Sequence, residues 1–162
     1  MIETLYTMGG YGYSQDAFFD RLEANGVDVL VDIRQRRGMR GRQYSFLNST
    51  ALQTELLERE IAYLHLKELS PTTAVRDAQK SQDLSSGVAK RKRDILSCEF
   101  VAAYSENVLV SLDPEDIWAK ISGYKRPCFF CVEAAERACH RSLVTDWLTN
   151  YRQTPVIHIQ GR

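Results

Sequence analysis

The sequence VDVLVDI occupies residues 27–33, and a polar loop begins directly after it at Arg34. A short run that is so largely apolar is typical of a strand buried on both faces of a parallel sheet. Four more short apolar runs predict further strands at residues 4–8, 61–66, 128–132 and 155–159. Helix-like segments separate these strands. The order predicts a Rossmann-like, three-layer α/β/α domain whose mostly parallel sheet carries helices on both faces.

The predicted helices lie at residues 15–24, at about 50–60, from about 90 to beyond 104, from 114 and at 141–151. Ser14 is the expected N-cap of the first of these, and Ser49 or Thr50 is the expected cap of the second, with Thr50 and Gln53 at capping-box spacing. Residues 70–90 contain few apolar side chains, so we expect a polar, flexible excursion there. Otherwise the chain is expected to form a single domain over residues 1–162.

Composition limits the classes of function. The chain is 44% hydrophobic and 26% charged, as in a soluble globular protein, and its formal net charge is +0. Binding of an anion must therefore depend on a local cluster of basic side chains. The N-terminus has no signal-peptide pattern, and no apolar run approaches the roughly 20 residues of a membrane-spanning helix. We expect a cytoplasmic protein with four reduced cysteines and no membrane partner.

Ligands of open parallel sheets bind beyond the carboxyl ends of the strands, and three loops of this sequence are predicted to lie there. The first contains Gly9, Tyr11 and Ser14. The second has five arginines in nine residues and no acidic side chain: Arg34, Arg36, Arg37, Arg40 and Arg42. The planar guanidinium group suits phosphate or carboxylate, although a solvated loop paired with acids elsewhere is the alternative.

The third loop, from residue 131 to 141, places chemically capable side chains between a buried strand and a helix. A thiol at such a position can have its pKa lowered by the helix dipole and an arginine. The candidate catalytic residues are Asp32, Cys131, Glu133, Cys139 and His140. The candidate substrate-binding residues are Gly9, Tyr11, Ser14, Arg34, Arg40, Arg42, His65 and Arg141.

No metal site and no cofactor are predicted. The Cys-x7-Cys-His spacing matches no common zinc motif, and the adjacent Cys139 and His140 should struggle to reach one ion together. A redox disulfide between Cys131 and Cys139 is a further, weaker alternative. The basic run at residues 90–93 is expected to be a solvated helix start, or an extension of an anion-binding surface.

The chain resembles the family catalogued as domain of unknown function 488. The resemblance covers most of the chain and is carried by residues 5–9 with Tyr11, Gly12 and Ser14, by residues 31–34, by residues 61–66, by Cys131-Val132-Glu133, by Cys139-His140-Arg141 and by residues 156–159. It implies an α/β/α domain with a clustered polar site and no assigned activity. A weaker similarity is to the rhodanese arrangement, although the loop between cysteine and arginine is longer here and lacks glycine.

The leading hypothesis is an enzyme that acts on a phosphate-bearing substrate, either a nucleotide or a nucleic acid. Arg34, Arg40, Arg42 and Arg141 would hold phosphate. Glu133 or Asp32 would be the general base and His140 the acid or an orienting group, in cleavage of a phosphoester or a glycosidic bond. One alternative is a thiol-dependent enzyme, rhodanese-like or redox, with Cys131 or Cys139 as nucleophile. The other is a non-enzymatic binding module for nucleotides or nucleic acids that stacks bases on Tyr11, Tyr13, Tyr44 and Phe46.

Overall fold

The computed structural model describes residues 1–87 and 94–161. Its five strands are β1 (Leu5–Gly9), β2 (Val29–Asp32), β3 (Ala62–His65), β4 (Pro127–Cys131) and β5 (Val156–Ile159). They form one sheet in the order β3-β2-β4-β1-β5, and every neighbouring pair is parallel. The predicted parallel α/β architecture is confirmed.

Among the described residues, six α-helices accompany the sheet: α1 (Gln15–Ala24), α2 (Ser49–Glu58), α3 (Thr73–Ser86), α4 (Cys98–Asn107), α5 (Pro114–Ile121) and α6 (His140–Tyr151). Side chains alternate along each buried strand, so neighbouring residues face opposite layers. Phe130 packs into the core layer formed with α1 and α2, whereas Phe129 packs into the layer formed with α3 to α6. The sheet is therefore covered on both faces, as the sequence predicts. Within the described residues, no helix is both long and apolar enough to cross a membrane.

Helix starts follow from local hydrogen bonds. The Ser14 hydroxyl accepts a hydrogen bond from the amide of Ala17, at 3.3 Å, which confirms the predicted cap of α1. The start of α2 differs from the prediction, because Asn48 occupies the N-cap position and Ser49 is already helical. The expected Thr50–Gln53 capping box is wrong, since Gln53 Nε2 donates to the Ser49 hydroxyl at 2.8 Å.

The 14-residue helix α3 occupies most of the segment that we expected to be an irregular excursion. Its N-cap is Thr72, whose hydroxyl accepts from the amide of Val75 at 3.3 Å, and it ends at Gly87 in the left-handed conformation. Val75 is fully buried. The side-chain oxygen of Gln79 accepts from the amide of Ser97 at 2.7 Å, which ties α3 to the start of α4. Val75 and Gln79 therefore hold α3 against the rest of the protein, although most of its other side chains are polar.

Helix α4 begins later than predicted. Residues 94–97 are not helical, and the helix starts at Cys98 behind a Ser97 cap. The predicted start near residue 90, and the basic run at 90–93, lie outside the described residues.

Tyr104 on α4 links the helical layer to the edge of the sheet. Its side chain is fully buried, and its hydroxyl donates to the carbonyl of Leu69 at 2.7 Å. Its ring meets the ring of His140 edge-on, with a centroid separation of 5.5 Å. The first residue of α6 is therefore packed against a side chain that is itself fixed by a hydrogen bond.

The Tyr104→Phe substitution should lower the free energy of unfolding by about 1–2 kcal/mol, because the buried Leu69 carbonyl loses its donor. Denaturant unfolding followed by circular dichroism measures this loss. Tyr124→Phe is the matched control, since the Tyr124 side chain is only half-buried and its hydroxyl makes no hydrogen bond within the described residues. Equal losses in the two variants would contradict the role of the Tyr104 hydroxyl.

Candidate functional site

The carboxyl ends of β1, β2 and β4 meet at one edge of the sheet. Gly9 is paired with Cys131, and Asp32 with Phe130. The pairing continues past the strands, since the amide of Tyr11 donates to the carbonyl of Val132 at 2.9 Å. The three loops that we expected to converge are therefore adjacent.

Asp32 and Arg34 form a buried ion pair with a distance of 2.7 Å between Nη2 and Oδ2. The Tyr63 hydroxyl also donates to Oδ2 at 2.7 Å, and burial raises the pKa of Tyr63. Arg34 Nη1 donates to the carbonyl of Leu47 at 3.0 Å, and its guanidinium lies 4.8 Å from the centroid of the Phe130 ring. The Asp32 carboxylate and the Arg34 guanidinium are therefore occupied by contacts within the protein and are not available to a ligand.

His65, the third predicted residue of this region, follows the same pattern. Its Nε2 lies 2.8 Å from the carbonyl oxygen of Arg34, to which it donates. The ring is half-buried. The contact helps to hold the backbone at the start of the arginine-bearing loop.

Cys131, Glu133, Cys139 and His140 form a buried cluster at the ends of β4 and α6. The Cys131 thiol donates to Glu133 Oε2 at 2.8 Å. The Nδ1 atom of His140 lies 3.6 Å from Cys139 Sγ and 4.0 Å from Cys131 Sγ. Cys131, Cys139 and His140 are only 4%, 1% and 5% exposed. The structure thus brings together four of the five predicted catalytic residues, and Asp32 belongs to the separate ion pair.

The backbone at Cys139 explains how two adjacent residues reach one point. Cys139 is extended, with φ −136° and ψ 145°, and His140 is the first residue of α6. The chain changes direction between them, so both side chains turn toward Cys131. One sulfur or nitrogen atom from each of Cys131, Cys139 and His140 lies within 4.8 Å of the others. The expectation that Cys139 and His140 would struggle to reach one ion together is therefore wrong.

The electrostatics of the cluster also differ from the prediction. Burial raises the pKa of the Cys131 thiol well above its ordinary value, and the neighbouring Cys139 and Glu133 raise it further. The expected lowering by the helix dipole and an arginine is not found at Cys131. Burial works to lower the pKa of His140, but Cys131, Glu133 and the Ile33 carbonyl outweigh it and raise that pKa. Cys131 is accordingly a hydrogen-bond donor at neutral pH.

Arg141 holds the loop that follows β4. Its side chain is 1% exposed, and its Nη1 and Nη2 donate to the carbonyls of Glu133 and Ala134 at 2.6 and 3.0 Å. Gly9 lies directly beneath this contact. A Cβ atom at Gly9 would stand 1.9 Å from the carbonyl oxygen of Glu133. The sequence predicts that Arg141 binds phosphate and that Gly9 contacts substrate. In the structure both residues instead determine the conformation of the loop after β4.

A cavity of about 410 Å³ lies between the loop that follows β1 and the arginine-bearing loop. Its lining is formed by Gly12, Tyr13, Ser14, Gln15, Arg42, Gln43, Tyr44, Ser45 and Phe46. Ser14 and Arg42 are predicted substrate-binding residues, whereas Gln15 and Gln43 carry no signal by which the sequence could mark them. Tyr11 lies beside the cavity residue Tyr44, with ring centroids 5.1 Å apart. Arg40 is exposed on the same loop and is not part of the lining.

Gly9→Ala should destabilise the protein by about 2–3 kcal/mol, because the added methyl group meets backbone that Arg141 holds in place. Thermal and denaturant unfolding provide the measurement. Gly123→Ala is the control: a Cβ there meets nothing within 4 Å, so its stability should change by less than about 1 kcal/mol. A Gly9→Ala protein as stable as the control would show that the loop after β4 is not fixed in this way.

Comparison with known proteins identifies a family. No curated protein and no solved structure matches the chain. The family described as domain of unknown function DUF488 matches residues 14–148 of the 162. The match includes the Asp32–Arg34 pair, the buried cluster and Arg141. The chain therefore belongs to the DUF488 family.

Proposed function

We propose that the protein is an enzyme that acts on a phosphate-bearing substrate, a nucleotide or a nucleic acid, at the carboxyl edge of the sheet. The observation that carries the proposal is the cavity lined by Ser14 and Arg42, which lies beside the loop that leads from β1 to α1. The backbone of that loop is paired with the end of β4 at Tyr11 and Val132. An anion-binding cavity and the buried cluster therefore share one stretch of backbone.

The charge of the cavity supports phosphate as the bound group. Arg42 is exposed and lines the cavity, and a guanidinium group can form two parallel hydrogen bonds to a phosphate. The cavity also reaches Ser14 and Gln15 at the N-terminus of α1, where backbone amides and the helix dipole favour an anion. The acidic Asp16 of this first turn is not among the lining residues.

The aromatic side chains support a nucleotide or a nucleic acid rather than a simple phosphate. Tyr44 and Phe46 line the cavity but are only 6% and 5% exposed, and the half-buried ring of Tyr11, which lies against Tyr44, is the most accessible of the three. Nucleobases stack on such rings with little dependence on sequence. A phosphate beside Arg42 and a base beside these rings together account for the mixed polar and aromatic lining.

We assign the general acid or base to Glu133, which is 7% exposed and accepts the Cys131 hydrogen in the buried cluster. Glu133 does not line the cavity, so a substrate held at Arg42 must extend past the β1 loop to meet its carboxylate. Asp32 is engaged by Arg34 and Tyr63, so it is less suitable for proton transfer. The raised pKa of Cys131 disfavours a thiolate nucleophile at neutral pH. Cleavage of a phosphoester or of a glycosidic bond would use the same carboxylate. A cytoplasmic location is also part of the proposal, supported by the four free cysteines.

The double variant Arg40→Gln/Arg42→Gln should lose roughly 10- to 100-fold or more in affinity for phosphate-bearing ligands, because a charge-assisted hydrogen bond from Arg42, the arginine that lines the cavity, contributes about 1.5–3 kcal/mol. Fluorescence anisotropy with labelled mononucleotides and single-stranded oligonucleotides measures the affinity. Arg126→Gln is the control, since it removes an exposed arginine that pairs with Glu3 at the opposite end of the strands. If binding is unchanged in the double variant, the phosphate site is elsewhere.

Glu133→Gln should lower turnover about 10²- to 10⁴-fold and leave binding of the same ligands within about twofold, as expected when a general acid or base is removed. Chromatography with mass detection follows both released phosphate and released base, so either bond cleavage is seen. Glu99→Gln, on the exposed face of α4, is the matched control and should retain full turnover. A wild-type protein that binds these ligands and cleaves none of them would contradict the enzyme and favour the binding module.

A further inference from the structure

We propose that Cys131, Cys139 and His140 bind one zinc ion, with Glu133 beside it as the nearest further ligand. The proposal rests on the convergence of two sulfurs and one ring nitrogen on a single buried point. It is independent of the phosphate-bearing substrate, because zinc binding can be measured with no nucleotide present.

The separations within the cluster are close to those of a zinc site. Zinc bonds of about 2.3 Å to sulfur and 2.0 Å to nitrogen place the ligands of a tetrahedral site roughly 3.5–3.8 Å apart. His140 Nδ1 lies 3.6 Å from Cys139 Sγ and 4.0 Å from Cys131 Sγ. No pair among the three ligand atoms is more than 4.8 Å apart. Small side-chain rotations therefore suffice to surround an ion.

The histidine is already oriented as a ligand. Its Nε2 lies 3.1 Å from the carbonyl oxygen of Ile33, to which it donates, so a neutral ring leaves the lone pair of Nδ1 directed at the two sulfurs. Histidines that bind metals commonly donate their other nitrogen to a carbonyl in this way, which fixes both the tautomer and the ring. The packing of the His140 ring against Tyr104 restrains it further.

The donor set selects zinc over the common hard cations. Thiolates and an imidazole favour zinc and other soft or borderline metals, whereas magnesium and calcium prefer oxygen ligands. When zinc binds, the Cys131 and Cys139 thiols each lose a proton and a zinc–sulfur bond replaces each S–H bond, with the Cys139 proton released to the solvent. Glu133 Oε2 already accepts the hydrogen of Cys131, and this carboxylate is placed to receive its proton or to take the fourth position on the ion.

The test uses the full chain, stripped with a chelator under reducing conditions and then titrated with Zn²⁺ alone. We expect one equivalent to bind tightly, and Co²⁺ at the same site to give the visible absorption of a thiolate complex. Cys139→Ser and His140→Gln should each weaken zinc binding by roughly 100-fold, if the free energy of a structural zinc site is shared among its ligands. Cys98→Ser is the matched control and should bind as the wild type does, because Cys98 is exposed and lies outside the cluster.

A second measurement on the wild type keeps the proposal testable if the variants do not fold. Because Cys131 and Cys139 are buried, alkylation is run in urea just below the unfolding transition, where buried thiols are transiently exposed, and is followed by peptide mass spectrometry. Zn²⁺ should protect Cys131 and Cys139, with no zinc-dependent change at the exposed Cys98. Substoichiometric binding, a cobalt complex without thiolate absorption, unaltered alkylation or a Cys131–Cys139 disulfide in the reduced preparation would each overturn the zinc site.

Discussion

The guanidinium group of Arg141 is almost fully buried, and the carboxyl edge of the sheet is organised around its two hydrogen bonds to the carbonyls of Glu133 and Ala134. Leaving a buried cation without its partners lowers the free energy of unfolding by about 3–5 kcal/mol. The loop after β4 therefore keeps the conformation in which the Glu133 and Ala134 carbonyls point at Arg141. The loop passes so close to β1 that only glycine fits at position 9. The positions of Glu133 and of the residues that precede α6 follow from this constraint.

The four arginines that the sequence proposes as phosphate ligands divide into two groups with different physical roles. Arg34 and Arg141 are buried, and their charges are satisfied by Asp32 or by backbone carbonyls. Arg40 and Arg42 are exposed, and Arg42 faces a cavity. A guanidinium group that is enclosed and bonded to the backbone or to a carboxylate stabilises a loop, whereas one that faces solvent can exchange water for phosphate at little cost. This division narrows the proposed phosphate contacts to the exposed pair.

The sequence predicts the sheet and the convergence of its loops well, because a strand buried on both faces requires a largely apolar run such as residues 27–33. It does not predict α3, whose buried contacts include only Val75 and Gln79 and leave no clear apolar stripe. The convergence of Cys139 and His140 was missed for another reason. It depends on the extended backbone of Cys139 directly before α6. The spacing of residues in the sequence does not reveal such a change of backbone direction.

The cluster and the cavity differ in exposure, and the difference fits what each is proposed to bind. Soft ligands in a nearly dry site can hold a zinc ion without competition from water, whereas an exposed arginine beside a helix N-terminus can admit and release a large anion. The two are joined by the β1 loop, whose Gly10 and Tyr11 amides donate to the carbonyls of Cys131 and Val132. These two hydrogen bonds connect the end of β4 to the loop that continues into the cavity lining at Gly12. A zinc ion on Cys131 would fix the end of β4, and through it the loop on which the proposed substrate rests.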